Sequence, residues 1–185
     1  MKNPFRIGSA IYLRPLERED APLFVTWLND PEVTRTLNVY RPVDLPSEEE
    51  FIATIPKSDT DFVFGVALIA TDHLIGTTGL HDVDWKNRHA SFGINVGAKH
   101  EWGKGYGTDA TVLTLQYAFE TLNLHRVRLL VYEHNARAIR LYENVGFQRE
   151  GLLREDRYHE GRYWNTITMA MLRDEWDRTQ SRRGG

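Results

Sequence analysis

The chain has no cysteine. Its absence removes disulfides, thiolate zinc sites, iron–sulfur ligation and a cysteine nucleophile, so any group transfer runs by direct attack or through a Ser, His or carboxylate intermediate. Long apolar runs are missing as well: the longest, Phe62 to Ala70, falls well short of the ~18 residues a membrane span needs. Met1 to Arg6 lacks the apolar centre of a signal peptide, and the expected location is cytoplasmic, without a membrane partner. Basic excess is absent too. A net charge of −3 offers no general footprint for nucleic acid, and the Arg-rich end, within a tail expected to fray over 177–185, reads as a solvated terminus.

What is present is enough for one domain. A chain of 185 residues buries about 70% of the surface its unfolded form exposes and folds without staples. Neither an internal repeat nor a Pro/Gly-rich linker divides it, so the expectation is a single domain over 1–185 with its core at about 11–176. Ile11 to Arg14 reads as a strand, Glu19 to Leu28 as a helix stopped by Asn29-Asp30-Pro31, and Ser47-Glu48-Glu49-Glu50 as the N-cap and acidic first turn of a short helix. Phe62 to Ala70 and Leu74 to Leu80 form a hairpin around Thr71-Asp72-His73, and Ala90 to Val96 alternates as a further strand. Thr111, Leu115, Ala118 and Leu122 give one face of a helix from Gly107 to Leu122. A strand follows at Arg126 to Tyr132, then a helix led by Asn135 and closed by Gly146, a strand resumed at Phe147 and a last strand at Tyr163 to Leu172. Hairpins followed by a β-α-β-α-β block describe an α+β fold with a mixed sheet.

Between the Ala90–Val96 strand and the next helix stands Trp102-Gly103-Lys104-Gly105-Tyr106-Gly107-Thr108. Alternate glycines permit positive φ, and the helix that follows adds unpaired N–H donors and a positive dipole end, so the segment suits a pyrophosphate. A P-loop requires Lys and then Ser or Thr after its last glycine, whereas Gly107 is followed by Thr108-Asp109. A dinucleotide fingerprint requires a third glycine where Thr108 stands, although Glu133 imitates the ribose-binding acid of that fold at a slightly long spacing.

Gly76-Thr77-Thr78-Gly79-Leu80, the Trp102–Thr108 loop, His125-Arg126-Val127, Asn135-Ala136-Arg137-Ala138-Ile139 and Leu141-Tyr142-Glu143-Asn144-Val145-Gly146-Phe147 occur in this order. Together they resemble the GNAT superfamily of N-acetyltransferases, in particular the branch that includes RimJ/RimL-type ribosomal-protein enzymes, over roughly Ile11 to Trp176. The resemblance implies one domain with a mixed, mostly antiparallel sheet splayed at a cofactor slot and flanked by helices. It implies acetyl-CoA as donor and no metal. Trp102, Gly103, Lys104, Gly105, Tyr106, Gly107 and Thr108 then surround the pyrophosphate, with Trp102 standing where Gln or Arg is usual. Ile94, Asn95 and Val96 lie beside the pantetheine arm, and Asn135 contacts it. Tyr142 protonates the departing thiolate. From spacing alone, Asn135 is equally a helix N-cap, and Tyr142, on one face with Ala138 and Val145, is a core aromatic rather than a catalyst.

The base does not carry over. Relatives place Glu within the stretch corresponding to Ala90–Gly93, where this chain has Ser91. His81 and Asp82 are the substitutes for that role, with Asp84 and His89 nearby. The acceptor expected first is a protein N-terminal amine, and the alternatives are a polyamine, an amino sugar or an aminoglycoside, or a catalytically silent acyl-CoA-binding module. Trp27 to Tyr40 and Tyr158 to Trp164 flank the implied slot, and Asn165 replaces an Asp common among relatives. Exposed edges permit a monomer or a homodimer.

Overall fold

A computed structural model of the chain describes residues 1–183. Its strands are β1 (Arg6–Ile7), β2 (Ile11–Arg14), β3 (Phe62–Leu68), β4 (Leu74–Asp84), β5 (His89–Asn95), β6 (Arg126–Tyr132), β7 (Gln148–His159) and β8 (Arg162–Leu172). Its helices are α1 (Ala21–Leu28), α2 (Pro31–Thr34), α3 (Leu45–Thr54), α4 (Tyr106–Gln116), α5 (Ala136–Val145) and α6 (Arg173–Arg183). The hydrogen-bonded strand order is β1-β2-β3-β4-β5-β6-β8-β7, a mixed sheet in which the β5–β6 pair is parallel. The expected α+β class is the one observed. The chain divides into two compact units, residues 1–81 with 93–114, and residues 82–92 with 115 onward. Strands β4 and β5 contribute to both. Among the described residues no helix is long and apolar enough to cross a membrane.

In the first unit β1 to β4 pair antiparallel in sequence order. All four residues of β2 are buried, which suits an interior strand covered on both faces, and Arg14 is accommodated there by a bidentate pair with Asp20 at 2.8 Å on each arm. Gly76 carries a specific steric duty. A Cβ built on it would stand 2.1 Å from the Asn95 carbonyl oxygen, so only glycine lets β4 meet the end of β5 this closely. Helix α3 starts earlier than expected: Asp44, not Ser47, is its N-cap, accepting from the Ser47 N–H at 2.9 Å, with Pro46 tolerated in the first turn. Lengthening the hairpin beyond its expected end, β4 runs on to Asp84.

In the second unit β6 alternates cleanly, with Val127, Leu129 and Val131 buried and Arg128 and Leu130 exposed. It pairs with β8 over seven positions but with β5 over only three, His89 with Arg126, Ala90 with Val127 and Ser91 with Arg128. The helix expected to reach Leu122 ends its α-form at Gln116 and continues as a π-turn over Tyr117–Thr121, closed by the Leu122 N–H on the Tyr117 carbonyl. The largest correction is at the C-terminus. Residues 173–183 are helical where a frayed tail was expected from 177, and the last two residues of that expected tail lie outside the described ones. Trp176 explains the order: it is 1% exposed, stacks on Phe119 at 5.7 Å and donates its indole N–H to Glu120. Docking an aromatic supplies what the polar sequence of α6 lacks.

Gly76→Ala should overpack the β4–β5 approach and cost about 1–3 kcal/mol, seen as a fall of several degrees in melting temperature. An unchanged melting curve would show that β5 shifts without penalty.

Candidate functional site

The residues singled out from the sequence fall on both units. His81, Ile94–Val96 and the Trp102–Thr108 loop belong to the first, and Asp82, Asn135 and Tyr142 to the second.

Within the first unit the loop follows a short 3-10 turn, Lys99–Glu101, and delivers the chain into α4. Gly103 and Gly105 have φ of +80° and +87°, values that side-chain-bearing residues rarely adopt, and open space surrounds both α-carbons. The first bonds of the helix run from the Thr108 and Asp109 N–H groups to the Gly105 carbonyl, so the N–H groups of Tyr106 and Gly107 stand ahead of the helix's own ladder. Successive N–H groups at a helix entrance, turned by two left-handed glycines, form an anion nest. The indole of Trp102 donates to the Val96 carbonyl at 2.6 Å and so clamps the loop to the strand end. Lys104 is held by Glu101 at 2.8 Å, a hydrogen bond that also raises its pKa. Its charge is thus shared, and the nest relies on backbone.

Asp109 was not picked out from sequence. On the first turn of α4 its carboxylate accepts from the Ser9 N–H, the Ser9 hydroxyl and the Ala10 N–H at 3.0, 2.9 and 3.2 Å. An acid this near an anion nest would oppose a phosphate, but its charge is taken up by the β1–β2 turn. A carboxylate in the first turn of the helix after the glycine loop was the available signal.

His81 donates through Nδ1 to Asp61 at 3.2 Å. Asp82 is exposed with φ of +51°, and Asp84 is committed to the following turn, accepting from the Asn87 N–H and side-chain amide at 2.8 and 2.7 Å. His89 lies 3.7 Å from the same Asp84 carboxylate. Ser91 accepts from Arg128 at 3.2 Å and is no base.

In the second unit Asn135 is the N-cap of α5, its Oδ1 accepting the Ala138 N–H at 3.1 Å, and Gly146 closes the helix with φ of +120°. The cap therefore uses the amide oxygen and leaves the NH2 end for other contacts. Tyr142 shares a buried face with Ile139 and Val145 and meets Phe92 and Phe147 edge-on at 6.1 and 5.7 Å. Burial pushes its phenol pKa up to about 12, because the phenolate is disfavoured away from water. Tyr142 is thus a core aromatic whose phenol stays protonated through the neutral range.

The remaining expectations resolve locally. Glu133, the imitation ribose acid, is bound twice by Asn165, through its N–H at 2.8 Å and its side-chain amide at 3.0 Å, which removes the dinucleotide reading. Asn165 also accepts the Glu155 N–H at 2.9 Å, a donor-and-acceptor duty that an Asp could not perform. Tyr158 and Tyr163 form a cross-strand pair at 5.1 Å. Among the described residues no cluster suited to a metal ion occurs.

A family model described as acetyltransferase (GNAT) domain matches residues 10–148. An uncharacterized N-acetyltransferase p20 of Bacillus licheniformis is 32% identical over 89% of this chain and 93% of its own. A spermidine N(1)-acetyltransferase of Vibrio cholerae is 31% identical over 92% of this chain and 97% of its own. Among solved structures, a spermidine N-acetyltransferase from Vibrio cholerae in complex with CoA and spermine superposes with a TM-score of 0.83 at 29% identity, over 90% of this chain and 98% of that one.

The raised Tyr142 pKa has a stability consequence. Above the unfolded value near 10 the unfolded phenol loses its proton while the folded one keeps it, so stability falls as pH rises toward 12, at up to about 1.4 kcal/mol per pH unit. Chemical denaturation between pH 9 and 11.5 should show this loss in the native chain and a smaller one in Tyr142→Phe; parallel curves would overturn the assignment.

Proposed function

The chain belongs to the GNAT acetyltransferase family, and we propose that within it the acceptor is a polyamine. It is an acetyl-CoA-dependent N-acetyltransferase. We read both units as one such domain, because the family match crosses from one into the other.

The observation that carries the acceptor is charge. Residues 17 to 61 hold eleven carboxylates against four basic residues, in a chain whose net charge is only −3. Lys2, Arg14 and Lys99, from outside that stretch, pair with Glu17, Asp20 and Asp30, and a surplus still remains. Such a field attracts a multiply charged aliphatic amine far more than the single ammonium of a peptide terminus. The spermidine acetyltransferases among the relatives support the same choice. A protein N-terminus, the acceptor expected first, is the lesser reading.

The chemistry divides as follows. The nest at Gly103–Thr108 receives the pyrophosphate of acetyl-CoA, the backbone of Ile94–Val96 runs beside its pantetheine arm and polarises the thioester carbonyl, and the Asn135 amide contacts the arm. A primary amine near pKa 10.4 arrives protonated and must give up a proton before attack. His81 is the base in this reading, ahead of Asp82, because its imidazole is oriented by a partner. Tyr142 serves the departing sulfur in this reading. With its phenol near 12 and a thiol near 8.5, full proton transfer would run uphill by about 5 kcal/mol, so Tyr142 stabilises the thiolate chiefly by hydrogen bonding.

Release of CoA with spermidine, spermine, an aminoglycoside, glucosamine and N-terminal peptides tests the acceptor. The polyamines should lead the peptides in kcat/KM by about tenfold or more, a margin that shrinks with added salt. A peptide preference would replace this reading. Tyr142→Phe should slow single-turnover transfer by at least about tenfold, toward the low end of the ~10²–10⁴ typical of acid–base groups, with acetyl-CoA affinity intact. An unchanged rate would remove Tyr142 from the mechanism.

A further inference from the structure

Asp61 precedes β3 by one residue, and His81 lies one step beyond the Phe62–Leu80 pair that closes the β3–β4 register. They therefore face each other across the end of the hairpin. The carboxylate is anchored on its other oxygen: Oδ2 accepts the Ser58 hydroxyl at 2.9 Å and the Thr60 hydroxyl at 3.0 Å, leaving Oδ1 for His81 Nδ1. Ser58 is fixed in turn by accepting the Asp61 N–H at 3.0 Å.

Protonation follows from this arrangement. Partial burial works against the carboxylate, but the bonds from Ser58, Thr60 and His81 outweigh it and hold Asp61 below its ordinary pKa. An ionised carboxylate only accepts, so the proton of the His81–Asp61 bond resides on Nδ1. In a neutral imidazole Nε2 is then the bare lone pair. That nitrogen is directed at β5, since a Cβ on Gly93 would lie 3.3 Å from it. Gly93 immediately precedes Ile94, and both side chains of the pair are more than a third exposed, at 39% and 38%.

We propose that Asp61 is a positioning residue: it fixes the tautomer and aim of His81 so that Nε2 accepts the proton of the incoming amine beside β5, on the acetyltransferase reading given above. The balance closes. The ammonium gives one proton to Nε2, and its freed nitrogen attacks the thioester carbon. As the C–N bond forms and the C–S bond breaks, the sulfur leaves with the bonding pair and ends with the nitrogen's second proton, while His81 returns the first to solvent. Asp61 compensates the imidazolium in between. Gly93 keeps the space in front of Nε2 clear.

The test combines kinetics with a spectroscopic reading. With acetyl-CoA and spermidine, or the best amine of the panel if spermidine is not turned over, Asp61→Asn and His81→Ala should each lower kcat by about tenfold or more while the KM for acetyl-CoA stays put. The double variant should be no slower than His81→Ala alone. Gly93→Ala should lower kcat as well. Losses that multiply in the double variant, or an Asp61→Asn enzyme as fast as the parent, would overturn the proposal. A melting shift with acetyl-CoA confirms that each variant folds. Long-range ¹H–¹⁵N spectra should show neutral His81 protonated at Nδ1 in the parent and mixed between nitrogens in Asp61→Asn; an Nε2–H form in the parent would sink the idea whatever the turnover. If no amine is acetylated, it is the enzyme reading that fails, and the spectra still decide what Asp61 does to His81.

Discussion

Two buried hydroxyls join three elements of the first unit, β4, β5 and α4. Thr78 on β4 lies 2.9 Å from Thr114 on α4 and 3.2 Å from the Gly93 carbonyl on β5, while Thr114 donates to the Ala110 carbonyl at 2.8 Å. Each hydroxyl has one proton. Since Thr114 spends its own on α4, Thr78 divides one donor between Thr114 and Gly93, and the Gly93 carbonyl keeps acceptor capacity. The relay sits in a fully packed region, and Gly76 brings the Asn95 carbonyl against β4 a few residues along. The C-terminal end of β5 is thus held by steric contact at Asn95 and by a hydroxyl at Gly93, with little freedom left for Ile94 between them.

Electrostatics divides the candidate groups by whether their charge is already committed. Asp109, Asp84, Glu133 and Lys104 all lie near places where a charged catalyst would be sought, and each is tied to a backbone or side-chain partner. Tyr142 is neutral because burial makes it so. What remains chemically available is neutral or half-engaged: backbone N–H groups at the loop, a phenol, an imidazole nitrogen. That suits an acyl transfer in which charge appears only briefly, on the tetrahedral oxygen and on sulfur.

Much of this was legible in the sequence where local signals agreed. Strand β6 and helix α5 were read nearly to the residue, because alternation, the Asn135 cap and the Gly146 stop all point the same way. Helix α6 was not, since its polar composition gives no stripe and its order comes from Trp176 meeting Phe119 far away in the chain. The α3 start moved because Asp44 and Ser47 are both good caps and Pro46 fits either choice, so propensity could not rank them. The glycine loop was legible as a left-handed turn ahead of a helix, but that Trp102 clamps Val96 depends on a turn no spacing rule predicts.

His81 shows the same limit at higher resolution. Both halves of the β3–β4 hairpin were visible, and so was His81, yet its partner depends on register. Ala67 pairs with Leu74 but Val66 pairs with Gly76, so one extra residue is inserted on β4. Without that bulge Asp61 would face Leu80, and the imidazole would project from the other side of the sheet. A single unpaired residue near the turn therefore determines, at the far end of the hairpin, which side chain meets the carboxylate. The same register sets the His81 imidazole against Gly93, where a Cβ would lie 3.3 Å from Nε2, while Ser91 on β5 is engaged by Arg128.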